Sequence, residues 1–281
     1  MNPLFEVFDG GDFVLSSYRD VEAELAEVQL FFPEPERVDE AVAKLRAALE
    51  IVGSDAEVVC GEIPDEDWKL SYRRHFKTDL IGRRLAVVPA WEAEQWRARV
   101  TSGEAAGRVA VTLDPGLAFG TGRHETTRAC LEYIEELSRE GGSFLDMGCG
   151  SGILSIAAVK LGFGPVAGFD VDADAVVAAT ENAEANGVKV DYTKFALGRV
   201  HEAGACYGGR KWDLVAANIL GPLLIRFADE IVPSVGRRLI ISGILNELYP
   251  EVLAAYAARG FREVGRKTFG EWTTGLVEVE V

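Results

Sequence analysis

The run Phe144-Leu145-Asp146-Met147-Gly148-Cys149-Gly150-Ser151-Gly152 constrains what this chain can fold into more than any other stretch. An apolar, strand-like segment ends in three glycines at alternate positions and opens directly into a helix-forming run from Ile153. Glycines so placed allow tight or positive-φ turns and let backbone approach a ligand closer than a Cβ would permit. The spacing is G-x-G-x-G, and Ile153 stands where a dinucleotide-binding motif would carry its last glycine. That spacing favours S-adenosylmethionine over a nicotinamide dinucleotide.

An adenosine ribose needs a carboxylate at the end of the next strand. Asp170 closes the short apolar run Val166-Ala167-Gly168-Phe169, one crossover helix beyond Gly152. A carboxylate there can accept both ribose hydroxyls as a bidentate pair. The simpler alternative makes Asp170 a cap for the helix starting near Asp172. A third rim residue follows from the rule that ligands of such sheets bind outside the carboxyl ends of the strands. The strand Trp212–Ala217 runs into Asn218-Ile219-Leu220-Gly221-Pro222, which puts Asn218 level with Gly148 and Asp170. Its carboxamide can hold a substrate amine by one N–H and aim the lone pair at a methyl group; alternatively it only starts the turn before Pro222.

The loop from Asp114 to Thr127 carries three glycines, three threonines and a histidine between a strand and a helix. Such a loop can fold over a ligand, with Thr126 or Thr127 capping the helix and Thr127 reaching the cofactor. His124 is open to three roles: general base, substrate contact or loop anchor.

Alternation of strands and helices from Thr126 onward predicts a doubly wound, largely parallel α/β sheet. The expected helices are Thr126–Leu137, Ile153–Leu161, Ala173–Asn186, Leu223–Ile231 and Leu248–Arg259. The strands between and after them are Phe144–Met147, Val166–Asp170, Val188–Thr193, Trp212–Ala217, Arg238–Ser242, Phe261–Lys267 and Thr274–Val281. Ahead of these, Leu85–Val88 and Arg108–Thr112 read as strands. Residues 1–64 read as a small α+β domain, with strands Glu27–Phe32 and Ala56–Cys60 around a helix over Val38–Leu49. Residues 65–80 read as a helical connector, with an aromatic helix over Asp65–Phe76, and 81–281 as the catalytic domain.

Composition narrows the function classes. With 281 residues, 48% hydrophobic content and no apolar run of membrane-spanning length, the chain is expected to be soluble, and its amino terminus lacks a signal-peptide pattern, which predicts a cytoplasmic protein. The four cysteines show no C-x-x-C pair, so neither a metal site nor a disulfide framework is expected. A balance of 29 basic and 45 acidic residues, net −16, argues against direct nucleic-acid binding and accommodates a basic partner.

These residues bring a family into view. From about Asp67 to the carboxyl end the chain resembles the methyltransferases that modify large-subunit ribosomal protein eleven, a branch of the seven-strand S-adenosylmethionine-dependent enzymes. The resemblance rests on Trp68 through Lys77, Val88-Pro89-Ala90-Trp91-Glu92, the Asp114–Thr127 loop, Asp146–Ile153, Asp170, Asn218-Ile219-Leu220, Ser242-Gly243-Ile244-Leu245 and Gly270-Glu271-Trp272. The Phe119-Gly120-Thr121-Gly122 loop with Asn218-Ile219-Leu220 is its most specific part.

The resemblance implies a Rossmann-like methyltransferase sheet of seven strands and a ferredoxin-like amino-terminal domain that recognises substrate. It implies cofactor contacts from Thr127, Gly148, Asp170 and Asn218; Gly150 of the glycine loop is a further cofactor-binding candidate, and Asn218 and His124 are the catalytic candidates. The implied acceptors are lysine side chains and the α-amine of a basic ribosomal protein. Two departures stand out: fifteen residues precede Ser16 where the family has a further strand and helix, so the module is expected to be either reduced or missing its first elements, and Arg123 replaces a frequent histidine. The alternatives are a methyltransferase of another protein or a small molecule, a nicotinamide-dependent oxidoreductase, disfavoured by Ile153, and a binding protein that keeps only the fold.

Overall fold

The computed structural model describes residues 14–20, 25–31, 36–51, 56, 58–61, 77–113, 124–194 and 210–280. Its chain divides into two compact units, Met1–Trp68 and Lys69–Val281. In the first, strands β1 (Val14–Asp20) and β2 (Leu25–Phe31) form an antiparallel hairpin, followed by helix α1 (Glu36–Ile51). The strand expected over Ala56–Cys60 is not found: its described residues are not in a sheet, and Val59 is 80% exposed. Strand propensity is a weak guide without cross-strand packing, so adjacent valines alone do not make a strand. The expected helix over Asp65–Phe76 lies outside the described residues.

The second unit opens with a three-stranded sheet. Strand β3 (Asp79–Ile81) pairs antiparallel with β4 (Leu85–Pro89), which pairs parallel with β5 (Val109–Leu113). Between β4 and β5 runs α2 (Ala93–Thr101), which buries only Trp96 and so shows no apolar stripe in the sequence.

From α3 (Glu125–Leu137) the alternation is regular: β6 (Phe144–Met147), α4 (Ile153–Leu161), β7 (Val166–Asp170), α5 (Ala173–Ala185), β8 (Asp191–Lys194) and β9 (Trp212–Asn218). Then come α6 (Gly221–Arg226), α7 (Ala228–Ile231), β10 (Val235–Leu245), α8 (Tyr249–Ala257), β11 (Phe261–Phe269) and β12 (Trp272–Val279). The helix expected over Leu223–Ile231 starts two residues earlier, where Pro222 suits the first turn, and is divided at Phe227.

Seven strands form one sheet in the order β11-β12-β10-β9-β6-β7-β8. All neighbours are parallel except β12, which runs against both β10 and β11. Every residue of β6 is buried, as a parallel strand covered by helices on both faces requires. Its side chains alternate between two cores. Phe144 joins Leu131, Ile134 and Ile156 on one face, while Leu145 and Met147 join Val215, Leu224 and Tyr256 on the other. Asp146 therefore shares the face of Phe144.

The chain winds outward from β6 in both directions, to β7 and β8 on one side and to β9 and β10 on the other. The winding reverses between β6 and β9, and a crevice forms there at the carboxyl ends of the strands. Among the described residues no helix is long and apolar enough to cross a membrane.

Candidate active site

At that reversal the glycine loop turns from β6 into α4. Gly148 and Gly152 adopt φ of 72° and 77°, and Gly152 is the residue from which α4 starts. A Cβ on Gly148 would sit 2.7 Å from Ile219 Cγ2, so the loop and the segment after β9 approach each other as only glycine allows. The loop is tied to β7 through Gly148 N–H and Cys149 N–H, which both donate to the Phe169 carbonyl, at 2.9 and 3.0 Å.

Asp170 stands at the end of β7 and clasps the loop. Its Oδ2 accepts from Gly150 N–H at 2.9 Å and its Oδ1 from Asp172 N–H at 3.1 Å. The helix cap that the simpler reading assigned to Asp170 is instead made by Asp172, whose side chain accepts from Asp174 N–H. Each Asp170 oxygen has accepted one backbone proton and has a further lone pair, the pair of acceptors that the two hydroxyls of a vicinal diol require.

Asn218 ends β9 and pairs in register with Ser242 of β10. Its Nδ2 lies 3.4 Å from Thr127 Oγ1, so two residues 91 apart in sequence meet at the rim. Thr127 is itself 1% exposed, in the first turn of α3. His124 caps that helix: its Nδ1 lies 2.8 Å from Thr126 Oγ1 and 3.4 Å from Thr126 N. Its ring meets Trp272 edge-on, with centroids 4.9 Å apart. Accepting the Thr126 N–H at Nδ1 leaves the neutral ring's proton on Nε2.

Several site residues lie beyond those singled out from sequence. Asp146 is buried beneath the glycine loop, where its Oδ2 accepts from Ser155 Oγ at 2.6 Å and Ser155 N at 3.1 Å. Among the described residues its Oδ1 has no hydrogen-bond partner. Burial pushes this carboxyl up to about 7, against the lowering effect of the Ser155 bonds. The acid two residues before the first glycine was visible as a polar residue in an apolar strand. Its partner Ser155 gave no such signal, being one helical serine among apolar neighbours. Trp272 was quoted in a motif without a role, and only the antiparallel course of β12 brings it to His124.

The buried, unpartnered Asp146 Oδ1, the close approach at Gly148 and the Asp170 clasp suit a cofactor with a diol and a polar or cationic group. Residues 114–123 of the expected ligand loop lie outside the described residues. Among the described residues no group of three or more His, Cys, Asp or Glu side chains is placed to hold a metal ion.

The comparisons agree with this geometry. The family model described as ribosomal protein L11 methyltransferase (PrmA) matches residues 11–278. A ribosomal protein L11 methyltransferase from Geobacter sulfurreducens is 43% identical over 213 residues, covering 75% of this chain and 66% of that protein. One from Parasynechococcus marenigrum is 36% identical over 259 residues, covering 89% and 86%. Among solved structures, the ribosomal protein L11 methylase from Lactobacillus delbrueckii subsp. bulgaricus superposes with a TM-score of 0.64 at 30% identity, covering 73% of this chain and all of that one. A glycine loop clasped by Asp170, an Asn218–Thr127 rim and a seven-strand sheet with one reversed strand thus sit in a chain that belongs to the ribosomal protein L11 methyltransferase family, and it is an S-adenosylmethionine-dependent methyltransferase.

Proposed function

We propose that this chain methylates amines of ribosomal protein L11, on lysine side chains and at the N-terminus, in the cytoplasm where that substrate is made. The observation that carries the reading is the meeting of Asn218 with Thr127 on the same rim as the Asp170 clasp. It sets a carboxamide beside the place where a cofactor's reactive group would lie. The net charge of −16 favours a basic partner. The first unit, Met1–Trp68, is the candidate substrate-recognition module in this reading, with the segment up to about residue 80 as its connector.

Gly148, Gly150, Asp170 and Thr127 hold the cofactor, Asp170 by its two oxygens. Bound S-adenosylmethionine supplies an electrophilic methyl group on a sulfonium sulfur. Asn218 commits Nδ2 to Thr127 and thereby offers Oδ1 as an acceptor. A neutral amine that donates one N–H to Oδ1 is held with its lone pair directed away from the carboxamide. A free lysine has a pKa of ~10.4, so the amine must shed a proton, and exclusion of water at the crevice favours the neutral form. With Nδ1 engaged in the helix cap, His124 is anchored at the first turn of α3 beside the rim.

The test is methyl incorporation from labelled S-adenosylmethionine into purified L11, with mass spectrometry locating the modified amines. Mass gains at lysines or the α-amine, abolished by Asp170→Ala, are expected. Cofactor binding without incorporation into L11 would refute the substrate and turn the search to other proteins or small molecules.

A further inference from the structure

The core beside the rim contains a polar pair that the chemistry above does not use. Ser242 on β10 is fully buried, and Thr274 on β12 is 1% exposed. Their hydroxyl oxygens are 2.6 Å apart, and Ser242 Oγ also lies 3.3 Å from the carbonyl oxygen of Thr126. Each hydroxyl has one proton to give. With Ser242 O–H donating to Thr126, the bond between the two hydroxyls takes its proton from Thr274. The result is a directed chain, Thr274 to Ser242 to Thr126, that ties two strands to the first turn of α3.

That turn is the one the site depends on. It carries His124 at the cap and Thr127, whose Oγ1 meets Asn218 Nδ2. On the other side, Ser242 pairs in register with Asn218. The next residue, Gly243, has φ +81°, and a Cβ there would run into the Ile219 carbonyl oxygen. Ser242 thus lies next to both halves of the Asn218–Thr127 contact: it pairs with Asn218 through the sheet and bonds to Thr126, the neighbour of Thr127, in the helix turn.

The surroundings are otherwise largely apolar: Ile240 is fully buried on the same face of β10, with the Cys130 thiol beside Ser242, while Ile241 and Ile244 pack in the opposite core. Replacing both partners of a buried hydrogen bond by apolar groups of similar shape is nearly neutral for stability. A hydroxyl pair at such a place therefore adds little to folding that an alanine and a valine would not, while its bonds are directional where apolar packing is not. We infer that Ser242 and Thr274 are positioning residues for methyl transfer, which set the first turn of α3 so that Thr127 meets Asn218. This inference rests on the amine-methylation reading for its kinetic test alone.

Four full-length proteins decide it: wild type, Thr274→Val, Thr274→Ser and the double variant Ser242→Ala/Thr274→Val. Valine keeps the shape of threonine and loses the hydroxyl, whereas serine keeps the hydroxyl. With S-adenosylmethionine and L11, Thr274→Val and the double variant should lower kcat by about five- to tenfold, the worth of one ordinary hydrogen bond. KM for S-adenosylmethionine should stay within about twofold, and Thr274→Ser should retain wild-type kcat. Amide hydrogen exchange across residues 125–131, measured on the cofactor-free proteins, should quicken about five- to tenfold in the two valine proteins and not in Thr274→Ser.

Unchanged exchange in Thr274→Val, unchanged kcat, or a Thr274→Ser as impaired as Thr274→Val would overturn the assignment. If wild type fails to methylate L11, the substrate reading falls alone, and the exchange comparison decides the positioning role.

Discussion

Asp146 makes the stability of the cofactor-free protein depend on pH in an unusual direction. The folded chain holds this proton more tightly than the unfolded chain, because burial disfavours the carboxylate more than Ser155 supports it. Its contribution is complete below the ordinary value of 3.8 and is lost as pH rises through about 7. At about 1.36 kcal/mol per pH unit, the rise from 3.8 to about 7 amounts to about 4 kcal/mol. Between about pH 5 and about pH 8, roughly 2–3 kcal/mol of it should disappear.

The perturbation is Asp146→Asn, which removes the ionisation while leaving an oxygen able to accept from Ser155. Urea denaturation of both proteins at the two pH values, without cofactor, isolates the group by double difference. Wild type should lose about 2–3 kcal/mol more than the variant on going to the higher pH. Equal losses in the two proteins would show that Asp146 is either ionised throughout or solvated in the folded state, and the reasoning from burial would fail.

Three further outcomes are expected. Asn218→Ala should lower kcat by about tenfold or more with little change in cofactor affinity by calorimetry, and an equal loss in both would make Asn218 only a binding residue. Gly148→Ala should cost about 1–2 kcal/mol from the positive φ alone and displace Ile219, weakening S-adenosylhomocysteine binding; calorimetric affinity equal to wild type would contradict the close packing of the loop. Ser155→Ala should remove the hydroxyl donor to the buried Asp146 carboxyl while keeping the backbone N–H donor, and lower stability by about 1.5–3 kcal/mol near pH 8, with a smaller loss near pH 5, as followed by denaturant unfolding.

Local patterns carried the parts that were legible in sequence. The β6 strand, its glycines and α4 form one contiguous signal, and the expected bounds of β6, α4 and β7 match the structure. Asp170 and Asn218 were found because each ends an apolar run at a spacing set by one crossover. The residues that escaped notice are joined across long separations. Ser242 meets Thr126 at 116 positions' distance, and Trp272 reaches His124 only because β12 is reversed. No periodicity announces such pairs.

Helix α2 and strand β3 were missed for another reason: the first buries a single tryptophan and the second is three residues long, so neither repeats a pattern. The run Ala56–Cys60 shows the converse, strand-forming residues whose described positions are not in a sheet.

The reversal of β12 also bears on the order in which the molecule can assemble. Strand β11 is made before β12, yet it touches the sheet only through β12, which occupies the slot beside β10. While the ribosome is still adding the segment from Trp272 onward, the outer edge of β10 has no neighbour and β11 has nowhere to dock. The same late segment supplies Thr274, whose hydroxyl ends in the core, and Trp272, whose ring ends beside His124. A nascent chain can therefore complete the glycine loop and the Asp170 clasp early, but its rim closes only when the last strand slides into the gap.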